Sequence, residues 1–245
     1  MILTYHKIGT QFELGITTVR KQDFSEHLDF LESLEIGFGV ATRTVGGKGA
    51  PDQIAITFDD GYESVYTEAA GEMASRSICG TVFPVVGSVG GHNSWDVRLS
   101  PRPFKHLSWP QLRELVGLGF EVGSHTLSHR DLTRLNRADL QYELRVSREM
   151  LEERLGIAVR AVSYPFGRFS ERVIAEALEA GYSYGFTSFP RAEDNPMAVG
   201  RMSVYAIDGK KSLRRKLRLD PGYRLEYVKN RLIAGLSLGT ALIKK

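Results

Sequence analysis

At 245 residues and 42% hydrophobic content, the chain can bury a full core, and it carries no collagen, coiled-coil or disorder signature. Its single cysteine, Cys79, excludes a disulfide framework and, within the strand-like run from Ile78 to Val82, reads as a small core residue. The net charge of +3 hides an asymmetry: residues 210–245 carry 11 Lys or Arg against 2 acids, whereas the rest carries 21 against 27 and is no nucleic-acid-binding body.

In chain order, Met1 to His6 have neither a basic flank nor a long apolar run, so no signal peptide or anchor is expected there. A cytoplasmic location follows, extending to the inner face of the membrane if the basic tail touches it. Strands are expected over 1–5, 36–42, 54–58, 78–83, 119–124, 159–164, 182–187 and 201–207, several of them apolar on both faces. Helices are expected over 21–34, 62–76, 109–117, 137–155, 170–180 and 210–218, with His27 on the surface of the first. Ser108 with Gln111, and Pro110 in the first turn, form a capping box; Asn136 with Asp139 is a weaker one. Leu140, Leu144, Leu151 and Leu155 make an apolar stripe that Gly156 ends.

This alternation argues for an α/β barrel or a doubly wound sheet. The barrel is favoured because His6, Asp59-Asp60, His125 and Pro165-Phe166-Gly167 all follow strand ends, which a barrel gathers at one mouth. The body spans residues 1–209. Residues 210–245 form a basic, helical extension in which Leu232 to Ile243 is largely apolar, too short to span a bilayer but suited to peripheral contact with an anionic membrane.

Thr57-Phe58-Asp59-Asp60-Gly61 carries the chemistry. Two acids at the end of a buried strand are costly unless a metal ion or a shared proton balances them. His125 and His129, four apart after the strand ending at Ser124, face one way if the segment turns helically. With Asp60 they make two imidazoles and one carboxylate, a ligand set for a catalytic divalent ion, zinc first, with cobalt, nickel or manganese also accepted. Strand alternation turns Asp59 away from its neighbour, leaving it as general base while Asp60 binds.

On these residues the chain resembles the polysaccharide deacetylases, the family with the NodB homology domain (carbohydrate esterase family 4). Thr57-Phe58-Asp59-Asp60 is similar to its first motif, Ser124 to His129 to its second, and Tyr164-Pro165-Phe166-Gly167 to its third. The opening Leu3-Thr4-Tyr5-His6 is similar to the subgroup that begins with a Tyr-His pair, which includes exopolysaccharide deacetylases. The resemblance implies a distorted, incomplete (β/α)7 barrel and metal-dependent hydrolysis of an N-acetyl group from a sugar in a polysaccharide, oligosaccharide or glycoconjugate. Two alternatives stand beside it: deacetylation of a lipid-linked sugar or an O-acetyl ester, and a sugar-binding module that has lost turnover.

The chain departs from the family three times, one of them being that the Trp of the fourth motif is not recognisable. Ser163 stands where many members carry an arginine that orients the base, and no histidine follows His129 to act as the usual late general acid. His6 is the candidate acid by its place at a strand end; otherwise a weaker acid serves. Tyr62, Trp95, Tyr164, Pro165, Phe166 and Arg201 are the candidate substrate contacts. Arg201 has a second candidate role, pairing with an active-site carboxylate in place of the missing arginine. The partners expected are the N-acetylated carbohydrate and, through residues 210–245, a membrane surface, with no nucleic acid and no protein partner.

Overall fold

The computed structural model describes residues 1–9, 16–45, 53–92, 103–188 and 195–243, with side chains described through residue 234. In chain order the elements are β1 (Ile2–Tyr5), β2 (Lys7–Ile8), β3 (Thr18–Val19), α1 (Lys21–Glu32), α2 (Ala41–Val45) and β4 (Ala55–Asp60). A π-helical segment, Val65–Ala70, runs into α3 (Gly71–Ser75), followed by β5 (Thr81–Pro84), α4 (Trp109–Gly117), β6 (Glu121–Val122) and α5 (Arg137–Leu155). Then come β7 (Ala161–Ser163), α6 (Glu171–Glu179), β8 (Tyr184–Thr187), β9 (Val199–Gly200), β10 (Met202–Ser203), α7 (Lys210–Lys216) and α8 (Tyr223–Ile243).

Five parallel strands lie in the order β10-β1-β4-β5-β6, and β7-β8-β9 form a second parallel sheet. Two junctions close them into a distorted (β/α)7 barrel. Ser124, just beyond β6, pairs with Val162, and the segment 199–203 pairs with β8 through β9 and with β1 through β10. β4 is buried along its whole length, as a central strand of a barrel covered by helices must be.

Local signals are realised where their chemistry is local. Ser108 and Gln111 cap each other across the start of α4, and Gly156 ends α5 in the left-handed conformation. Leu140, Leu144 and Leu151 of α5 are fully buried, a burial worth about 1.5–3 kcal/mol each. Leu155 packs half-buried against the same core.

Three expectations are corrected. The strand over 36–42 shrinks to one paired residue, Phe38 against Ile54, before α2 begins. Thr81 Oγ1 accepts from Ala41 N–H (2.8 Å) and Glu121 from Thr42 N–H (3.2 Å), so side chains of β5 and β6 replace a ladder partner. The helix over 62–76 starts only at Val65, with its first turns widened to a π-helix beside the site. His27 is buried, not on the surface: its Nε2–H donates to Asp208 O (2.8 Å) and its Nδ1 accepts from the Tyr5 hydroxyl (3.2 Å).

The basic extension is not a detached tail. The Lys216 ammonium, with no solvent exposure, donates to Ser203 O (2.8 Å) and Asn230 Oδ1 (3.0 Å) and pairs with Asp208 (3.2 Å) and Glu226 (3.4 Å). Lys229 closes the cluster on the same two acids. α7 and α8 are thereby bolted to β10, while the Pro221-Gly222 turn, with Gly222 at φ 104°, separates them.

Candidate active site

β4 ends by leaving the strand conformation. Asp60 and Gly61 both lie in the left-handed region, at φ 67° and 70°. A Cβ on Gly61 would stand 2.7 Å from Pro84 Cα, so only glycine fits against β5. This turn sends the two carboxylates to different partners. Asp59 points to Arg201 and Ser163, Asp60 to the two histidines.

His125 and His129 meet without a helix. Thr126 and His129 are left-handed, at φ 66° and 58°, and the loop between them folds over the N-terminal half of α5. There the buried Glu143 carboxylate accepts from Leu127 N–H (3.0 Å), Ser128 N–H (2.9 Å) and the Ser128 hydroxyl. Ser124 Oγ accepts from Thr126 N–H (3.0 Å), and Thr126 Oγ1 from His129 N–H (3.2 Å). The helical turn expected for His125–His129 is therefore replaced by a pinned loop that achieves the same convergence.

The convergence is close. His125 Nε2 is 3.4 Å and His129 Nε2 3.6 Å from Asp60 Oδ1, and one ligand atom from each residue lies within 4.8 Å of the others. Ligands about 2.0–2.2 Å from a tetrahedral ion stand roughly 3.3–3.6 Å apart, so the donors fit a divalent cation. His125 Nδ1–H donates to Ser163 O (2.7 Å), which fixes the tautomer and aims the Nε2 lone pair at Asp60. Burial, then the neighbouring His125, push His129 down to about 3, leaving its imidazole neutral and able to ligate. Burial alone would lower His125, but Asp59 and Asp60 raise it above the usual histidine value.

Asp59 is held in a different way. Arg201 Nη1–H donates to Oδ1 (2.9 Å) and Nη2–H to Oδ2 (2.7 Å), while Ser163 Oγ–H reaches Oδ2 (3.2 Å). Burial raises the carboxyl, but the Arg201 charge overrides it and holds Asp59 below the usual carboxylate range. Asp60 is lowered too, burial being outweighed by the His125 hydrogen bond and the surrounding histidines. Arg201 is only 1% exposed, so of its two candidate roles the substrate contact is corrected and the pairing with an active-site carboxylate, Asp59, is the one observed. It supplies from the β9–β10 junction the guanidinium that Ser163 does not.

The remaining candidates divide. His6 follows β1, its charge acts on Asp59, Asp60 and His129, and its buried Nδ1 makes no hydrogen bond. Phe166, left-handed at φ 59°, sets its ring edge-on to His129 at 4.7 Å and lines the mouth. Tyr164 and Pro165 are buried. The Tyr164 ring stacks on Phe169 and its hydroxyl donates to Met197 O (2.9 Å), so a groove-wall role for that ring is corrected: strand alternation turns it into the core. Tyr62 is buried between His106 and Phe104, beneath the Lys7 ammonium, and borders a cavity of about 380 Å³ that Glu63 and Glu68 also line. Trp95 lies outside the described residues.

Glu143 was not among the expected site residues. Its signal is an acid within the apolar stripe of α5, between Leu140 and Leu144, where a carboxylate must find donors.

A family model described as "Polysaccharide deacetylase" matches residues 46–185. YxkH of Bacillus subtilis (strain 168), itself assigned to the polysaccharide deacetylases, is 28% identical over 228 residues, 90% of this chain and 71% of its own. A chitooligosaccharide deacetylase of Sinorhizobium fredii (strain NBRC 101917 / NGR234) is 32% identical over 150 residues, 57% of this chain and 59% of its own, so this chain spans under two thirds of that relative. In fold, the chain is similar to the Streptococcus pyogenes deacetylase PplD, solved in complex with acetate, with a TM-score of 0.75 at 19% identity over 88% of this chain and 96% of that one.

Proposed function

Because the chain belongs to the polysaccharide deacetylase family, we propose that it hydrolyses the N-acetyl group of an N-acetylated sugar in a polysaccharide, oligosaccharide or glycoconjugate, releasing acetate. The observation that carries this reading is the division of labour in the acid pair. Asp60 converges with His125 Nε2 and His129 Nε2, while Asp59 is kept apart and ionised by Arg201.

Asp60, His125 and His129 would hold a divalent ion, zinc first, with cobalt, nickel or manganese tolerated by the same donors, and when bound it would supply Lewis acidity to water and to the acetyl carbonyl. Asp59 removes a proton as the water oxygen bonds to the carbonyl carbon. Its grip by Arg201 orients it and keeps it ionised, so it is ready to act at every pH above the carboxylate range. The carbon–nitrogen bond then breaks, and the nitrogen leaves as an amine with a proton that we assign to His6, whose Nδ1 makes no bond within the protein. Phe166 forms one wall for the reacting sugar, and the cavity beside Tyr62 and Phe104 takes a neighbouring sugar ring.

The test is acetate release from a panel of N-acetylated oligosaccharides, after chelation and again after adding back zinc, cobalt, nickel or manganese. Release that is lost on chelation and restored by an ion is the expected result and excludes a module that only binds. No release from any substrate with the ion bound would overturn the reading. An O-acetylated xylan in the same panel separates amide from ester hydrolysis.

A further inference from the structure

α8 presents two unlike faces. Its inner face buries Glu226 and Asn230 against the Lys216 cluster. Its outer face exposes Leu225 (66%), Val228 (52%) and Leu232 (66%), and their spacing of three and four puts them on one stripe. Arg224 and Arg231, seven apart and both exposed, run beside that stripe. Ile207 and Leu219 are exposed just before α8, so five of the nine exposed large apolar side chains among the described residues fall within 207–232. The three on α8 share one stripe, and an exposed apolar stripe rimmed by cations marks an interaction face.

Charge selects the partner. Residues 210–245 carry 11 cations against 2 acids, and neither acid faces outward unpaired: Asp220 is held by Arg214 (2.9 Å), and Glu226 is buried in the cluster. We propose that the outer face of α8 docks on an anionic phospholipid surface. Such a surface offers an apolar phase to Leu225, Val228 and Leu232 and phosphates to Arg224 and Arg231. Nucleic acid offers the phosphates without the apolar phase. A second copy would set the same cations against each other across a two-fold axis. Among the described residues no helix is long and apolar enough to cross a membrane, so α8 lies on the surface. It also passes within 8 Å, Cα to Cα, of the Pro165–Gly167 turn at the mouth. Docking therefore brings the mouth to lipid-borne sugars, a consequence that rests on the deacetylase reading, whereas docking itself does not.

The experiment is flotation of the full chain with vesicles of phosphatidylcholine alone or mixed with phosphatidylglycerol. Two variants accompany it: Leu225→Ser/Val228→Ser/Leu232→Ser and Arg224→Glu/Arg231→Glu. Thermal midpoints and hydrolysis of a soluble oligosaccharide, both unchanged, verify that the variants are folded. The wild type is expected to float with the anionic vesicles and not with the neutral ones. The serine variant is expected to stay in the soluble fraction. The charge variant should bind at least about 25-fold more weakly, since each cation near the surface contributes roughly fivefold. The proposal is overturned if the wild type stays soluble with anionic vesicles at low salt, or if the serine variant floats like the wild type. A concentration-dependent dimer that the serine substitutions dissolve, without flotation of the wild type, would overturn it in favour of self-association.

Discussion

The cluster of Asp208, Lys216, Glu226 and Lys229 and the mouth cluster of Asp59, Asp60, Arg201, His125 and His129 both bury charge, but they balance it differently. In the first, two acids meet two ammonium groups, and the Lys216 ammonium also donates to Ser203 O and Asn230. In the second, two acids meet one guanidinium, and His6 Nδ1, beside them, makes no hydrogen bond. A buried cluster that neutralises itself holds helices together. One in which a fixed cation meets only one acid, and the other acid is left to titratable imidazoles at an opening, is suited to a cation and a substrate. Burial and ion pairing alone therefore do not distinguish a fastener from an active site; the charge balance does.

The sharpest way to break this contrast is to damage each cluster and read both outputs. Asp59→Asn should lower turnover by about 10²–10⁴-fold, the contribution of a positioned base, with metal still bound by the folded protein and stability lowered because the buried Arg201 loses its carboxylate; acetate release, metal analysis and urea unfolding check this. Near-full activity in that variant would remove Asp59 as the base. Lys216→Met should lower stability and spare the site. Leaving Asp208 and Glu226 short of a cation costs about 3–5 kcal/mol in urea unfolding, while metal affinity of the folded fraction stays unchanged.

Glu143→Gln joins the two kinds of effect, because Glu143 acts on the metal ligands only through the loop that carries His129. Its amide loses the charge that draws the Leu127 and Ser128 N–H groups and puts an NH2 where Oε1 accepts from the Ser128 hydroxyl, so zinc affinity by competitive chelation should fall about 10–100-fold. The visible bands of the cobalt-loaded protein should shift as His129 moves. An affinity loss without a spectral change would mean that the loop geometry survives without Glu143.

The smallest effect is a pH dependence of the fastener. Burial lowers the His27 pKa below its ordinary value. Its stabilising contribution is therefore complete above about 6.5 and is lost as pH falls through the lower folded value, because the unfolded chain takes up the proton first. For Asp208, burial is outweighed by Lys216 and Lys229, and its carboxyl is held below the usual range. Its contribution is lost in a second step, below about 3.9. Urea midpoints across pH should show both slopes in the wild type, with the upper one reduced in His27→Gln and the lower one reduced in Asp208→Asn.

Much of the body was legible in the sequence because its causes are local. The capping box at Ser108, the Leu140–Leu144–Leu151 stripe, the glycine stop at Gly156 and the apolar run ending in two acids depend on residues a few positions apart. The strand over 36–42 failed for a non-local reason: Thr81 and Glu121, from two later strands, satisfy the backbone there and release it into α2. His27 was misplaced because its partners, Tyr5 and Asp208, lie far from it in the chain.

The sequence by itself determined the parallel βα alternation and the acid pair at a strand end, with the histidines His125 and His129 as its candidate companions, since periodicity, turn chemistry and residue type are properties of short segments. Only the tertiary structure decided that Arg201 grips Asp59 from 142 residues away, that Glu143 pins the histidine loop, and that Lys216 is sealed inside. The Arg201 and Lys216 contacts exist because closing the barrel sets the 199–203 segment beside β1 and brings β1, β4 and β10 together, and no local pattern encodes which distant charge will arrive there.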